Sequence, residues 1–487
     1  MKKRTVILFM LATLAWSLTA QDVVYTHGKV SSMGRQSRKD PSPTLLAQRG
    51  YSYYIYKVGS GVLKVDGNLK IQAQCKLEAD DLQAFSVVDD RAYLIIGDDT
   101  RKKCYLQRIV VDLNSMQMVE SDVVMNKNFA RRDKFYFWIR QSKNRKYTAV
   151  FTALDDKDAE NKAPEVRLYD STLHEISKYD IDVNLLSDFF VTDDGEIAMA
   201  GFHSEGGSSL MEIHVVEREL GDMHYRLDMD TVSLLNLDIV NVSPGHVLMG
   251  GVEEEPIEGK TTRIGKQISK SKVNNLLFIS FDRVDERVER LNKVTLTQTE
   301  KNILKNNKIS KESKFSLDAL GIIDKCPTNE GGVVSFQYRQ HIEVYNTSNG
   351  SSTDYYSSFG SVTLCVDTLA NVLWRKGIRN NIQLKNDGRS LLCLVPLRNG
   401  GVALLQNETK GAAAAVSETP MKMGKLNKQQ LAVYRFNANG ETEKSVLNTL
   451  KQQVILPEYV CGENGELLFL SGGYKGKNFM INSLKID

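Results

Sequence analysis

The chain has 487 residues, 41% hydrophobic and 25% charged, long enough to bury a sizeable core without disulfide staples. Lys and Arg number 63 against 60 Asp and Glu. Three of those cations (Lys2, Lys3, Arg4) open the chain, so 63 less 3 leaves a balanced 60 against 60 beyond them. That balance argues against a broad electrostatic footprint on nucleic acid or an anionic membrane while leaving room for local patches, and no nucleic-acid partner is expected.

The basic start leads into an apolar run from Val6 to Leu18 and then a small residue, Ala20, the layout of a secretory signal. Cleavage is expected between Ala20 and Gln21, leaving residues 21–487 as one domain exported to the periplasm, cell surface or medium. No later stretch reaches eighteen uninterrupted apolar residues, so no integral membrane segment is expected after cleavage. No cysteine follows the cut to accept a lipid.

From residue 50 onward one pattern recurs. A polar or glycine turn leads directly into four to six apolar or β-branched residues. In chain order the turns are Gly50, Asp90-Arg91, Asn144-Arg145-Lys146, Asp193-Asp194-Gly195-Glu196, Ser243-Pro244-Gly245-His246, Glu330-Gly331-Gly332, Asn399-Gly400-Gly401 and Asn464-Gly465-Glu466. A second signature follows each at a variable distance: an alternating strand that stops at Asp or Asn, then a tight turn and another strand. Val62 to Asp66, Tyr105 to Asp112, Val166 to Asp170, Leu276 to Asp282, Val362 to Asp367 and Leu431 to Asn437 show it clearly. Leu210 to Val216 and Phe479 to Ile486 are weaker copies. Asp and Asn suit the position because their side chains close a turn onto the backbone and they tolerate positive φ.

Each unit therefore predicts a four-stranded antiparallel meander, which cannot bury both faces alone and must stack against its neighbours. The segment Cys365-Val366-Asp367-Thr368-Leu369-Ala370-Asn371-Val372-Leu373-Trp374 resembles the Asp-x-x-Gly-x-x-x-Trp turn of bacterial quinoprotein-like and WD40-like propeller repeats, with Asn371 where glycine is usual. The resemblance covers one repeat and implies a fold, not an activity. The expected fold class is all-β: a β-propeller of eight blades, or seven if residues 51–75 prove irregular. The last unit lacks its fourth strand, and Asp22-Val23-Val24-Tyr25 is a candidate to pair with it and close the ring.

In such a blade the loops after the second and fourth strands share one face. The long insertions all fall there: 154–164, 252–275, 297–316 and 407–430. One elaborated face suggests one binding face. Its candidate residues are Glu253, Glu254 and Glu255 for a cation or basic partner, and Lys301, Lys305 and Lys308 for an anion, although acidic loops and lysine-bearing helix faces are commonly just solvated. The 297–316 run reads as a short amphipathic helix with Leu296, Ile303, Leu304 and Ile309 on its apolar side.

Contiguous catalytic motifs are missing. There is no His-Glu-x-x-His, calcium loop, Cys-x-x-Cys pair, Gly-x-Ser-x-Gly elbow or phosphate loop. The six cysteines are scattered singly and read as buried thiols. His203, His214, His224 and His246 cluster in what reads as the third and fourth units without ligand spacing, so neither metal nor cofactor is expected. The reading that results is a non-enzymatic exported binding scaffold whose partner is an unidentified protein or glycan of the cell envelope. The alternatives are a carbohydrate-active hydrolase or lyase with its site at the channel mouth, or a structural module of an envelope or secretion complex.

Overall fold

The computed structural model describes residues 43–485 apart from 69, 78–80, 101–102, 129–133, 156–163, 182–184, 206–207, 218–220, 229–233, 256–271, 305–319, 347–350, 386–391, 398–399, 410–428, 448–452, 463–465 and 474–478. The expected signal sequence and the 22–25 segment lie outside the described residues.

Eight antiparallel sheets follow one another along the chain, seven of four strands and a last one of three among the described residues. They span residues 44–75, 81–128, 134–180, 185–228, 234–295, 320–385, 392–447 and 453–485, and are called blades 1 to 8. Blade 1 is regular, with strands Ser52–Lys57, Gly61–Val65 and Ile71–Cys75, so the ring has eight blades and not seven. The first strand of each blade touches the first strand of the next, and the first strand of blade 8 returns to that of blade 1. These first strands form the inner wall.

The third strand of blade 5, Lys272–Asp282, shows why such sequences stack. Leu276, Leu277, Phe278, Ile279 and Phe281 are all fully buried, a continuous apolar run in the middle of an antiparallel sheet. Successive side chains point to opposite faces. Leu276 and Phe278 join Val334, Phe336 and Val362 of blade 6, whereas Leu277, Ile279 and Phe281 join Ala200, Ile213 and Val215 of blade 4. Both faces are thus covered by neighbours, each large side chain gaining roughly 1.5–3 kcal/mol from burial. The outermost strand, Arg287–Thr295, has no such cover and is mostly exposed or half-buried. The same packing closes the ring, since Val460, Leu468, Leu470 and Ile481 of blade 8 share one cluster with Leu45, Ile55 and Val62 of blade 1.

The Asp and Asn turns behave as the sequence predicts. Asp112 Oδ1 accepts from the amides of Asn114 and Ser115, Asp170 Oδ1 from Thr172 and His174, Asp282 Oδ1 from Val284 and Asp285, and Asn437 Oδ1 from Asn439 and Glu441. Each holds a nearby residue in the left-handed region: Met116, Leu173, Glu286 and Gly440. In the propeller-like segment Asp367 Oδ1 accepts from the Asn371 amide at 2.7 Å, and Ala370 takes φ 61°. Trp374 beyond it stacks on Phe436 of blade 7 at 4.9 Å.

The elaborated face is built partly of extended strand. The 252–275 and 407–430 insertions are shorter than their sequence suggests, because strands His246–Glu255, Lys272–Asp282, Val402–Thr409 and Gln429–Phe436 run into them. Blade 6 carries a long ribbon that the pattern reading did not single out: Gly331–Asn346 pairs with Ser351–Asp367 out to Asn346↔Ser351. After blade 5 comes the expected helix, here called α1, over Gln298–Leu304.

Candidate functional site

An inner strand has a neighbour on one side only, so its second edge presents backbone groups that need partners. Polar side chains from the next blade supply them. Ser187 Oγ of blade 4 donates to Leu237 O of blade 5 at 2.7 Å, and Asp188 Oδ2 accepts from Ile239 N at 3.1 Å. Asn241 Nδ2 of blade 5 donates to Thr328 O and Gly331 O of blade 6 at 3.0 and 2.7 Å. Asp324 Oδ2 of blade 6 accepts from Leu394 N of blade 7 at 2.6 Å. Gln141 of blade 3 grips both the amide and the carbonyl of Phe85 in blade 2. Polar residues of the inner wall are therefore seams between blades.

Charges converge on the same wall. Asp188 is buried and pairs with Lys325 across the ring and with Arg140 at 3.6 Å. Burial pushes the Asp238 carboxyl up to about 6, with Lys325 drawing it down and Asp188 adding to the rise. Burial likewise pushes Asp324 up to about 6, against the two amides that hold it. The thiols in this region are equally shielded: Cys326 and Cys393 are buried and form no disulfide, and burial raises Cys326 to about 12. Of the other described cysteines, Cys75 is buried, Cys365 half-buried and Cys461 exposed, and none forms a disulfide.

Where the inner strands of blades 1, 2, 3 and 8 reach their first turns, a cavity of about 910 Å³ opens. Its charged lining is Arg49, Arg140, Lys143, Arg145 and Lys146 against Asp89 among the described residues. Arg145 spans the mouth, donating to Tyr459 O of blade 8 at 3.0 Å while its guanidinium lies 3.8 Å from the centre of the Phe85 ring. Arg49 donates to Asp89 O at 2.9 Å. Lys143 and Lys146 are exposed at the rim. This mouth lies at the tight-turn end, opposite the long loops.

At the long-loop end, Glu253 is buried, paired with Lys293 and accepting from Asn275 Nδ2 at 2.7 Å, so it ties together three strands of its own blade. Glu254 and Glu255 lie in the same strand, with side chains outside the description. Lys301 sits in α1, whose end is Leu304, and Lys305 and Lys308 lie outside the described residues. Thr297 and Glu300 make the reciprocal cap of α1: Thr297 N donates to Glu300 Oε2 at 2.7 Å and Glu300 N to Thr297 Oγ1 at 3.2 Å. Leu296, Ile303 and Leu304 are buried as expected, and Ile309 is undescribed.

Two of the four singled-out histidines meet. His214 and His224 face each other across neighbouring strands of blade 4 and stack with ring centres 4.1 Å apart. Glu212, two residues before His214, is fully buried with Oε1 3.5 Å from His224 Nε2 and 3.1 Å from Arg226 Nε. His246 is elsewhere, in a trio with half-buried Asp282 and exposed Glu289. Spacing missed the first group because its order comes from pairing: Glu212 faces Arg226 and His214 faces His224 in a ladder that runs out to Glu217 and Gly221. Glu-x-His followed by His-x-Arg at mirrored distances from a turn was the available signal.

The fold and its ion-paired inner wall define the class of the protein, an eight-bladed β-propeller. The sequence matches no family and no curated protein. Among solved structures the chain is similar to Sqt1 of Chaetomium thermophilum bound to the N-terminus of ribosomal protein L10, with 10% identity, a TM-score of 0.40, and coverage of 91% of this chain and 93% of that one. It is similar also to the β-propeller domain of the trilobed protease of Pyrococcus furiosus, with 9% identity, a TM-score of 0.33, and coverage of 83% and 96%. A third similar structure is the polysaccharide lyase Uly1, with 8% identity, a TM-score of 0.34, and coverage of 96% and 98%. None of these likenesses carries an activity across.

Proposed function

We propose that the protein is an exported binding scaffold that holds an anionic segment of an envelope protein or glycan at the tight-turn mouth of its channel. The observation that carries this reading is the charge of the mouth: Arg49, Arg140, Lys143, Arg145 and Lys146 surround a 910 Å³ cavity to which the described lining contributes one acid, Asp89. In a chain whose charges otherwise balance, that local surplus focuses field lines onto anions. The inner-wall carboxylates favour binding over catalysis, since Asp188 and Asp324 are engaged by backbone amides of adjacent blades and by Lys325. Among the described residues the exposed large apolar side chains are spread over five blades, from Tyr51 to Val446, and offer a membrane-bound machine no single docking patch.

A titration of the protein with a fluorescent polyglutamate peptide and with a sulfated oligosaccharide tests the reading. Saturable binding that weakens with salt and falls about tenfold or more in Lys143→Glu/Lys146→Glu supports it. Binding that the double variant leaves unchanged would place the partner elsewhere. Export is checked separately, by the mass of the protein recovered from fractionated cells. Removal of the first twenty residues is expected.

The enzyme reading keeps one favouring observation. Asp238, with its carboxyl up at about 6, sits near Asp188, Arg140 and Lys325, and a group that exchanges protons near neutrality in such company is the material of acid catalysis. Turnover of a polysaccharide panel that disappears in Asp238→Asn would establish it over the scaffold.

A further inference from the structure

We propose that Glu212, His214 and His224 form a binding site for a divalent transition metal of the zinc class, on the outer half of blade 4 and separate from the channel. One atom from each of the three residues lies within 4.8 Å of the others, close enough for a small adjustment to bring all three onto one ion.

The decisive atom is His214 Nε2. It is buried in a residue with no exposed surface, and it has no hydrogen-bond partner among the described residues. A buried ring nitrogen left without a partner forfeits the hydrogen bond it would make in water, a loss that natural folds rarely leave uncompensated. The opposite ring nitrogen explains its orientation. His214 Nδ1 lies 3.2 Å from both carboxylate oxygens of Asp222, an arrangement that places the proton on Nδ1 and leaves a lone pair on Nε2. A carboxylate behind an imidazole, with the far nitrogen bare, is the support that metal-ligating histidines ordinarily have.

His224 fits the same chemistry. It stacks on His214, with its Nε2 3.5 Å from Glu212 Oε1. Glu212 adds a fully buried carboxylate. Glu212, Asp222 and Arg226 together carry two negative charges and one positive, a net charge of −1 that favours a cation over any anion. Two imidazoles in three donors suit zinc, cobalt, nickel or copper and not calcium or magnesium, which demand oxygen. Three protein ligands leave a fourth position for water, and the side chain of His224, a quarter exposed, gives that position a route to solvent.

The rings now lie nearly parallel, with 9° between their planes, so their lone pairs run along separate lines. Capture of an ion requires one ring to turn out of the stack. His224 is the one able to move, because His214 is held by Asp222. The alternative occupant of Glu212 is already present in Arg226 Nε at 3.1 Å, and a purely ionic network would need no metal at all.

Titration of chelator-treated full-length protein with Zn²⁺ by calorimetry, and with Co²⁺ by visible absorption, decides between them. The proposal expects one equivalent bound, with the absorption of a four-coordinate nitrogen and oxygen site. His224→Gln should weaken affinity by roughly a hundredfold, and Asp222→Asn by roughly tenfold to a hundredfold. His246→Gln, in the separate trio with Asp282 and Glu289, should leave it unchanged. Circular dichroism confirms that each variant is folded, and His224, at the solvent edge, carries the test if the His214→Gln chain does not fold. Failure of the folded wild type to bind Zn²⁺ saturably, or an affinity unaltered by His224→Gln, overturns the site.

Discussion

Asp238 illustrates how a single residue of the inner wall shapes behaviour with pH. Its carboxyl is raised from the ordinary range to about 6 by burial, whereas in an unfolded chain it ionises near 4. Between those two values the folded state holds the proton that the unfolded state releases, so stability declines as pH climbs. The contribution is fully present below about pH 4 and gone above about pH 6. Replacing Asp238 with Asn removes the charged form altogether. We expect urea midpoints near pH 7 to rise by the equivalent of on the order of 1–3 kcal/mol, with little change near pH 4. An equal shift at both pH values would assign the effect to packing. Little of this was legible beforehand, because Leu237-Asp238-Ile239 looks like any alternating strand. What raises the carboxyl is burial, with Asp188 adding to the rise and Lys325 opposing it, and those two come from positions 50 and 87 residues away along the chain.

At the scale of the element, α1 shows how a helix of seven residues is kept in place. Ile303 packs into a notch of blade 6 where two glycines leave room. A Cβ on Gly360 would fall 2.6 Å from Ile303 Cγ2 and equally close to the backbone carbonyl of Ile378, while one on Gly377 would meet only the end of the Ile303 side chain at 2.5 Å. Gly360→Ala should therefore cost roughly 1–3 kcal/mol and Gly377→Ala distinctly less, because a side-chain tip yields where backbone does not. Loss of the Thr297 cap in Thr297→Ala should cost about 1 kcal/mol. Thermal unfolding of the three variants checks the order, and equal losses at the two glycines would contradict the notch. The helix was readable from its apolar spacing, and the hairpins from their Asp turns. The notch was not, since Gly360 and Gly377 lie on different strands and only the register brings both beneath Ile303.

On the scale of the whole molecule, the repeating turns made the ring and its eight units legible, and the neutral total charge concealed the basic mouth. That mouth gathers cations from two turns, one beside Arg49 and one holding Lys143, Arg145 and Lys146, which no local window joins. The ring also sets how the protein unfolds. Blade 8 is sealed to blade 1 through Val460, Leu468, Leu470 and Ile481, so its removal would bare an apolar face on each flanking blade. A chain ending at residue 450 should lose its single cooperative transition and aggregate. A circular permutant opened within 256–271, with the old termini joined, should keep the transition. A truncated chain that remained monomeric with a sharp transition would show that the closing contacts are dispensable.

The long ribbon of blade 6, Gly331–Asn346 with Ser351–Asp367, has a consequence for recognition. Blades arranged about one axis offer a visitor several similar rotational settings, and indifference among them costs specificity. Among the described residues no other blade carries strands this long, so whatever approaches that end meets a landmark that favours one azimuth over the rest.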